Sequence, residues 1–217
     1  MPKVKLPRSS PSIDMTPMVD LAFLLVTFFM LTTKFRADEA VTVTIPASVS
    51  QTKVSDNATT ITIDSAGRVF YDMDGKAMRA ELIKNLSDKF PQFGQLTPED
   101  ITRYSILGAV GVPMAQFKQY VEADEGARKV MNTATKGIPT DSIPLNELAE
   151  WVEYGWNVTL EDYSRRKAAN PKLEYPPFNI KADGNAKYKV VKKVVDICQK
   201  AHVDHFDLIT SLKVKAN

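Results

Sequence analysis

Few side chains in this sequence stand where chemistry would be out of the ordinary, and the clearest is Asp20. From Met15 to Thr33 it is the only ionisable group, in the run MTPMVDLAFLLVTFFMLTT. A carboxyl group in such a setting is suited to taking up and releasing a proton, because its charged form is costly there. An aspartate costs about 2.5 to 3.5 kcal/mol at the centre of a membrane span and less nearer the interface. Position alone leaves two readings open: a proton carrier facing a protein partner or a thin water path, or a helix-end charge that snorkels to the surface near the positive end of the dipole. Other candidates are weaker. His202 and His205 flank a helix end and a turn, lack a third ligand of recognised spacing, and read as ordinary surface histidines with no metal. Cys198 is the single cysteine, which excludes an intramolecular disulfide and leaves the compartment open. No Gly-rich phosphate loop and no nucleophile paired with a base is found, so no catalytic residue, cofactor or enzyme activity is expected. The pairs Glu99-Asp100, Asp124-Glu125 and Glu161-Asp162 read as solvated helix faces, as do Lys187, Lys189, Lys192, Lys193 and Lys200.

The element that must position Asp20 is a helix over residues 15–34, close to the roughly 20 residues that cross a bilayer core. At about 100° per residue, Thr16, Asp20 and Thr27 fall within roughly 40° of one line, with Phe23, Leu24 and Leu31 beside it. Leu21, Phe28 and Phe29 occupy the other side and suit lipid or a second apolar helix. Lys3, Lys5 and Arg8 precede the span, whereas Lys34 and Arg36 after it are balanced by Asp38 and Glu39, a modest bias for an N-in helix. The apolar run is followed by no small-x-small cleavage site, so it is expected to stay attached as an anchor.

The local pattern Asp14, Thr16, Pro17, Asp20, Phe29-Met30 and then Val43-Thr44-Ile45-Pro46 resembles the ExbD/TolR subunits of bacterial ion-driven stator complexes, with a Thr-Pro pair more like ExbD. That resemblance implies an inner-membrane subunit with residues 1–14 in the cytoplasm and the large domain in the periplasm. It implies a homodimer whose helices sit inside a pentameric ring of an ExbB-like multi-span protein, and a TonB-like transducer that receives the motion and energises outer-membrane uptake. Asp20 is then the proton-binding residue, and Thr16 and Thr27 are its pore-facing helpers. A TolR-like or MotB-like subunit ending in cell-wall anchoring is the alternative, and a membrane-tethered periplasmic enzyme is a remoter one.

With 217 residues, 44% hydrophobic and a formal charge of +2, the chain has room for one domain of about 180 residues beyond the helix and carries no polybasic nucleic-acid surface. In residues 35–58, Val41, Val43 and Ile45 alternate with Thr42 and Thr44 as a strand ended by Pro46, followed by a polar linker. This strand either edges its own domain or pairs with a partner through Val43, Ile45 and Pro46. Residues 59–63 and 69–71 predict a hairpin, and Met78, Leu82, Ile83, Leu86 and Phe90 predict a helix over 77–90. A strand at 178–182, a helix over 187–201 with Val191, Val194, Val195 and Cys198 inward, and a strand over 206–212 predict the second half. The expected class is therefore α+β: one membrane helix, then two helices on a mixed sheet in 59–90 and 176–217. The resemblance covers 12–90 and 176–213. Between these halves, residues 91–175 read as a mainly helical, separable insertion, with Thr97 as an N-cap before Pro98 and a helix over 145–168 whose Trp151, Trp156, Tyr154 and Tyr163 read as core.

Overall fold

The computed structural model describes residues 16–32, 58–141 and 145–210, in two compact units, Met1–Arg36 and Ala37–Asn217. In the first unit the apolar run forms α1, Thr16–Thr32. Pro17 lies in its first turn, where a missing N–H costs no helical hydrogen bond. At 1.5 Å per residue α1 is about 25 Å long. Among the described residues no helix is long and apolar enough to cross a membrane. The span expected over 15–34 has its ends outside the described residues, as does the strand expected over 41–46.

In the second unit a four-stranded mixed sheet is built from β1 (Thr59–Ile63), β2 (Val69–Met73), β3 (Phe178–Ala182) and β4 (Asp207–Thr210). Its order is β2-β1-β3-β4, with β1 antiparallel to β2 and parallel to β3, and β3 parallel to β4. Alternation of Thr and Ile in β1 buries Ile61 and Ile63 and leaves Thr60 and Thr62 partly exposed, a pattern of period 2. The hairpin turn closes through Asp64, whose carboxylate accepts the Arg68 N–H at 2.8 Å, and through Gly67 at φ +83°, a left-handed position that glycine occupies without strain. Around the sheet lie α2 (Lys76–Lys89), α3 (Pro98–Ile106), α4 (Phe117–Glu122), α5 (Glu125–Ala134), α6 (Glu147–Ala169) and α7 (Tyr188–Lys200).

The helices start and stop for local reasons. Thr97 and Asp100 form a reciprocal capping box at α3, with Pro98 in the first turn. Asn146 caps α6 by accepting the Ala149 N–H at 3.2 Å. Along α6, Leu148, Trp151, Val152, Gly155, Trp156, Val158 and Thr159 are buried at helical spacing, so Trp151 and Trp156 are core residues as expected. On α7 the inward residues are Val194, Ile197 and Cys198, while Val191 and Val195 are half-buried.

Residues 91–175 do not form a satellite. Trp151 is fully buried within 5.5 Å of the Tyr71 ring on β2, 5.9 Å of Phe93, 5.9 Å of Phe117 and 6.3 Å of Tyr104, centroid to centroid. One hydrophobic core joins these residues to Ile61, Ile180 and Leu82. The segment also closes the outer edge of β2: Tyr71 and Val110 exchange both backbone hydrogen bonds at 2.8 Å, and the Ile138 N–H donates to the Val69 carbonyl at 2.9 Å. An open edge would offer its unpaired backbone to other chains. The separable subdomain read from the sequence is thus replaced by a shared core, because aromatic residues of α6 and of the short helices face the sheet.

Replacing residues 92–175 by a short linker strips Tyr71, Val69 and Leu82 of their cover and reopens the β2 edge. The shortened chain should unfold without a cooperative transition in urea, followed by tryptophan-independent circular dichroism. A single steep transition would show that the sheet and its two flanking helices stand alone.

Candidate functional site

Helix α1 presents Asp20 on a surface that, threonines apart, is otherwise apolar. Met18, Val19, Leu21, Phe23, Leu24, Leu25, Val26, Phe28, Phe29, Met30 and Leu31 are each at least 56% exposed in the single chain. A helix apolar all round belongs in lipid or inside an assembly. Asp20 is exposed among them. Seven residues on, Thr27 stands within about 20° of the same line and, among the described side chains of the helix, is the one that is half-buried. Its hydroxyl donates to the Leu24 carbonyl at 2.9 Å, which leaves its oxygen as an acceptor toward a neighbour. The Thr32 hydroxyl donates four residues back, to the Phe28 carbonyl at 2.8 Å. The Thr16 side chain, and Val43, Ile45 and Pro46, lie outside the described residues.

The second unit contains a charged cluster that the sequence did not announce. Arg79, on the buried side of α2, donates from Nε to the Met73 carbonyl, from Nη1 to the Leu107 carbonyl, and from Nη2 to Asp72 Oδ1 at 3.0 Å. It thereby ties the end of β2 and the C-cap of α3 to one guanidinium, whose five donors in a rigid fork suit three acceptors. The signal was an arginine in the stripe Met78, Leu82, Ile83, where the helix faces the core. Burial holds the Asp72 carboxyl above the usual carboxylate range, against the pull of the Arg79 charge.

Asp100, Asp124, Glu147 and Cys198 have structural settings. Asp100, expected on a solvated face, is buried at the α3 cap, where the Thr97 N–H holds its carboxyl below the ordinary range. Its neighbour in the sequence pair, Glu99, is exposed. Asp124 likewise serves as the α5 cap, accepting the Ala127 N–H at 2.7 Å. Glu147 accepts the Met114 N–H at 2.7 Å, and burial raises its carboxyl. Burial pushes the Cys198 thiol up to about 12, far from a nucleophile's range. His202 and His205 are exposed, and among the described residues no group of three or more His, Cys, Asp or Glu side chains is placed to hold a metal. A surface cleft of about 890 Å³ runs past Tyr175, Phe178, His205 and Phe206, with no Ser, Thr, Cys or Lys in its lining.

A family model described as Biopolymer transport protein ExbD/TolR matches residues 7–135. The matched stretch includes α1 with Asp20, residues 41–46, the hairpin and α2, and ends just past α5; the resemblance read at 176–213 lies outside it. No curated protein and no solved structure matches the chain.

Because the folded state holds the Asp72 proton more tightly than the unfolded chain does, this group's contribution to stability is complete below the ordinary carboxylate range and is lost as pH rises through the raised value. Asp72→Asn is neutral throughout and can still accept from Arg79. Its urea midpoint, compared with the parent at about pH 3.5 and about pH 7, should shift in the variant's favour as pH rises. A difference that stays flat, or turns toward the parent, would mean that the Arg79 charge outweighs burial.

Proposed function

The chain belongs to the ExbD/TolR family of biopolymer transport proteins, and from that premise we propose that it is the proton-carrying subunit of a membrane motor. Asp20 is the observation that carries this reading: a lone ionisable side chain on a helix whose other large side chains are apolar on every side. A carboxylate costs several kcal/mol in such surroundings unless a partner supplies polar groups, whereas the neutral acid passes an apolar wall. Alternation between the two forms couples proton entry on one side of the bilayer and exit on the other to relative motion of helix and partner.

In this reading α1, extended by residues on both flanks, spans the inner membrane with its N-terminus in the cytoplasm. Two copies of the chain stand inside a pentameric ring of an ExbB-like multi-span protein. The α+β unit, in the periplasm, passes the motion to a TonB-like transducer and so to outer-membrane transport. Thr16, one turn before Asp20, and Thr27, about 10 Å further along the same line of the helix, are the pore-facing helpers, Thr27 reaching the acid only through a water or a partner's polar group. The strand at Val43, Ile45 and Pro46 pairs in trans. β4 offers an edge for it, since among the described residues β4 has a single strand neighbour and its Leu208 and Ile209 are exposed.

Asp20→Asn is nearly isosteric and hydrogen-bonds, but it exchanges no proton. At equal expression the variant should copurify with the ring protein, and cysteines placed at 43 and 45 should cross-link as in the parent. Transport driven by the proton motive force should fall to background. Full transport by Asp20→Asn would reduce Asp20 to a helix charge and remove the motor reading.

A further inference from the structure

One face of the α+β unit carries a charge pattern for which neither the core nor the motor reading has a use. On α7, Tyr188, Lys189, Lys192, Asp196, Gln199 and Lys200 are exposed, spread over about 120° of the helix opposite buried Val194, Ile197 and Cys198. Lys187 adds a further exposed cation just before the helix. The one acidic side chain on that face is Asp196, against Lys189, Lys192 and Lys200, so its net charge is positive, and Tyr188 is an aromatic ring left 78% exposed. Lys193 stands apart, at the edge of the face, paired with Asp141 at 2.7 Å.

We propose that this face of α7 docks on the surface of an anionic bilayer, with Tyr188 at the headgroup level and Lys187, Lys189, Lys192 and Lys200 over the lipid phosphates. The proposal rests on the reading of α1 as a membrane helix, because it is the tether that selects lipid over other anions. Only residues 33–57 separate α1 from Ala58 at the start of β1, a reach on the order of 80 Å when extended. A unit so confined meets the bilayer at an effective concentration near the millimolar range. The return of the chain also favours it: α7 runs back from the C-terminal end of β3 to the start of β4. Because β1 and β3 are parallel, the Lys200 end of α7 lies toward the end of the sheet at which the tether enters, with Tyr188 about 18 Å along the helix axis from it. Each lysine near an anionic surface strengthens association about fivefold, within a Debye length and in a salt-dependent manner.

The test uses the full chain in vesicles, with an environment-sensitive fluorophore on Gln199→Cys and a quencher on lipid headgroups. Native Cys198 is fully buried and stays unlabelled. In vesicles rich in phosphatidylglycerol the label should be quenched at low salt and released at high salt. In zwitterionic vesicles it should stay bright. The combined variant Lys189→Glu, Lys192→Glu, Lys200→Glu should lose the quenching while its circular dichroism matches the parent. A chain that floats with both kinds of vesicle but keeps a bright label in the anionic ones overturns the docking face and leaves the membrane helix standing. Quenching that ignores both lipid charge and the lysine substitutions overturns it as well, as would a label that responds to added poly-glutamate and not to anionic vesicles, which would assign the face to an acidic protein. A chain that floats with neither vesicle removes the membrane-helix reading and this proposal together.

Discussion

The α+β unit depends on what Tyr71 must satisfy at once. Its backbone is paired to β1 on one side and to Val110 on the other, its ring lies against Trp151, and its hydroxyl reaches α6 at Gly155, where an added Cβ would stand 1.9 Å from the oxygen. Only a residue without a side chain lets α6 approach β2 this closely. The arrangement has a cost, since Trp151 Nε1 is buried with no hydrogen-bond partner among the described residues, at about 1 to 3 kcal/mol for such a group, and the buried Tyr71 hydroxyl has at best Thr59 Oγ1 beside it. Aromatic contacts worth about 0.5 to 1.5 kcal/mol per pair beyond area burial, spread over Tyr71, Phe93, Tyr104, Phe117 and Trp151, offset it. Sheet and helices are therefore one cooperative body, and Arg79 fastens the same junction from the α2 side.

Elements whose order is local were legible in the sequence. The β1–β2 hairpin, α2, the capped start of α3, α6, β3 and α7 follow from period-2 or helical alternation and from turn and capping residues, and each lies within a residue or two of its expected bounds. What sequence periodicity does not carry is which faces meet. Trp151 and Leu148 marked α6 as amphipathic but not as the cover of β2, so residues 91–175 read as an insertion set apart. Asp100 resembled any other helix carboxylate because its role is fixed by the Thr97 backbone N–H, one turn away. Arg79 interrupts an apolar stripe, and its acceptors Met73, Asp72 and Leu107 come together only when α2 and α3 pack.

The candidate site was legible for the opposite reason: it is a local anomaly. Asp20 needs no tertiary contact to stand out, because nothing else from Met15 to Thr33 titrates. The geometry of α1 adds that large apolar side chains point outward in every direction and that the Thr27 hydroxyl donates to Leu24, which leaves its oxygen as an acceptor. A helix of this kind gains its stability from what surrounds it, in contrast to the α+β unit, whose core is its own.

Carbodiimide labelling in native membranes tests the central claim most directly, with peptide mass as the readout. A membrane-soluble carbodiimide reacts with a protonated carboxyl in an apolar setting, whereas a water-soluble one reaches carboxyls at the aqueous surface. If Asp20 takes up protons within the bilayer, the membrane-soluble reagent should modify it, more at acid than at alkaline pH, and the water-soluble reagent should spare it while modifying exposed groups such as Asp196 and Glu99. Modification of Asp20 by the water-soluble reagent alone would place it in water and contradict the account.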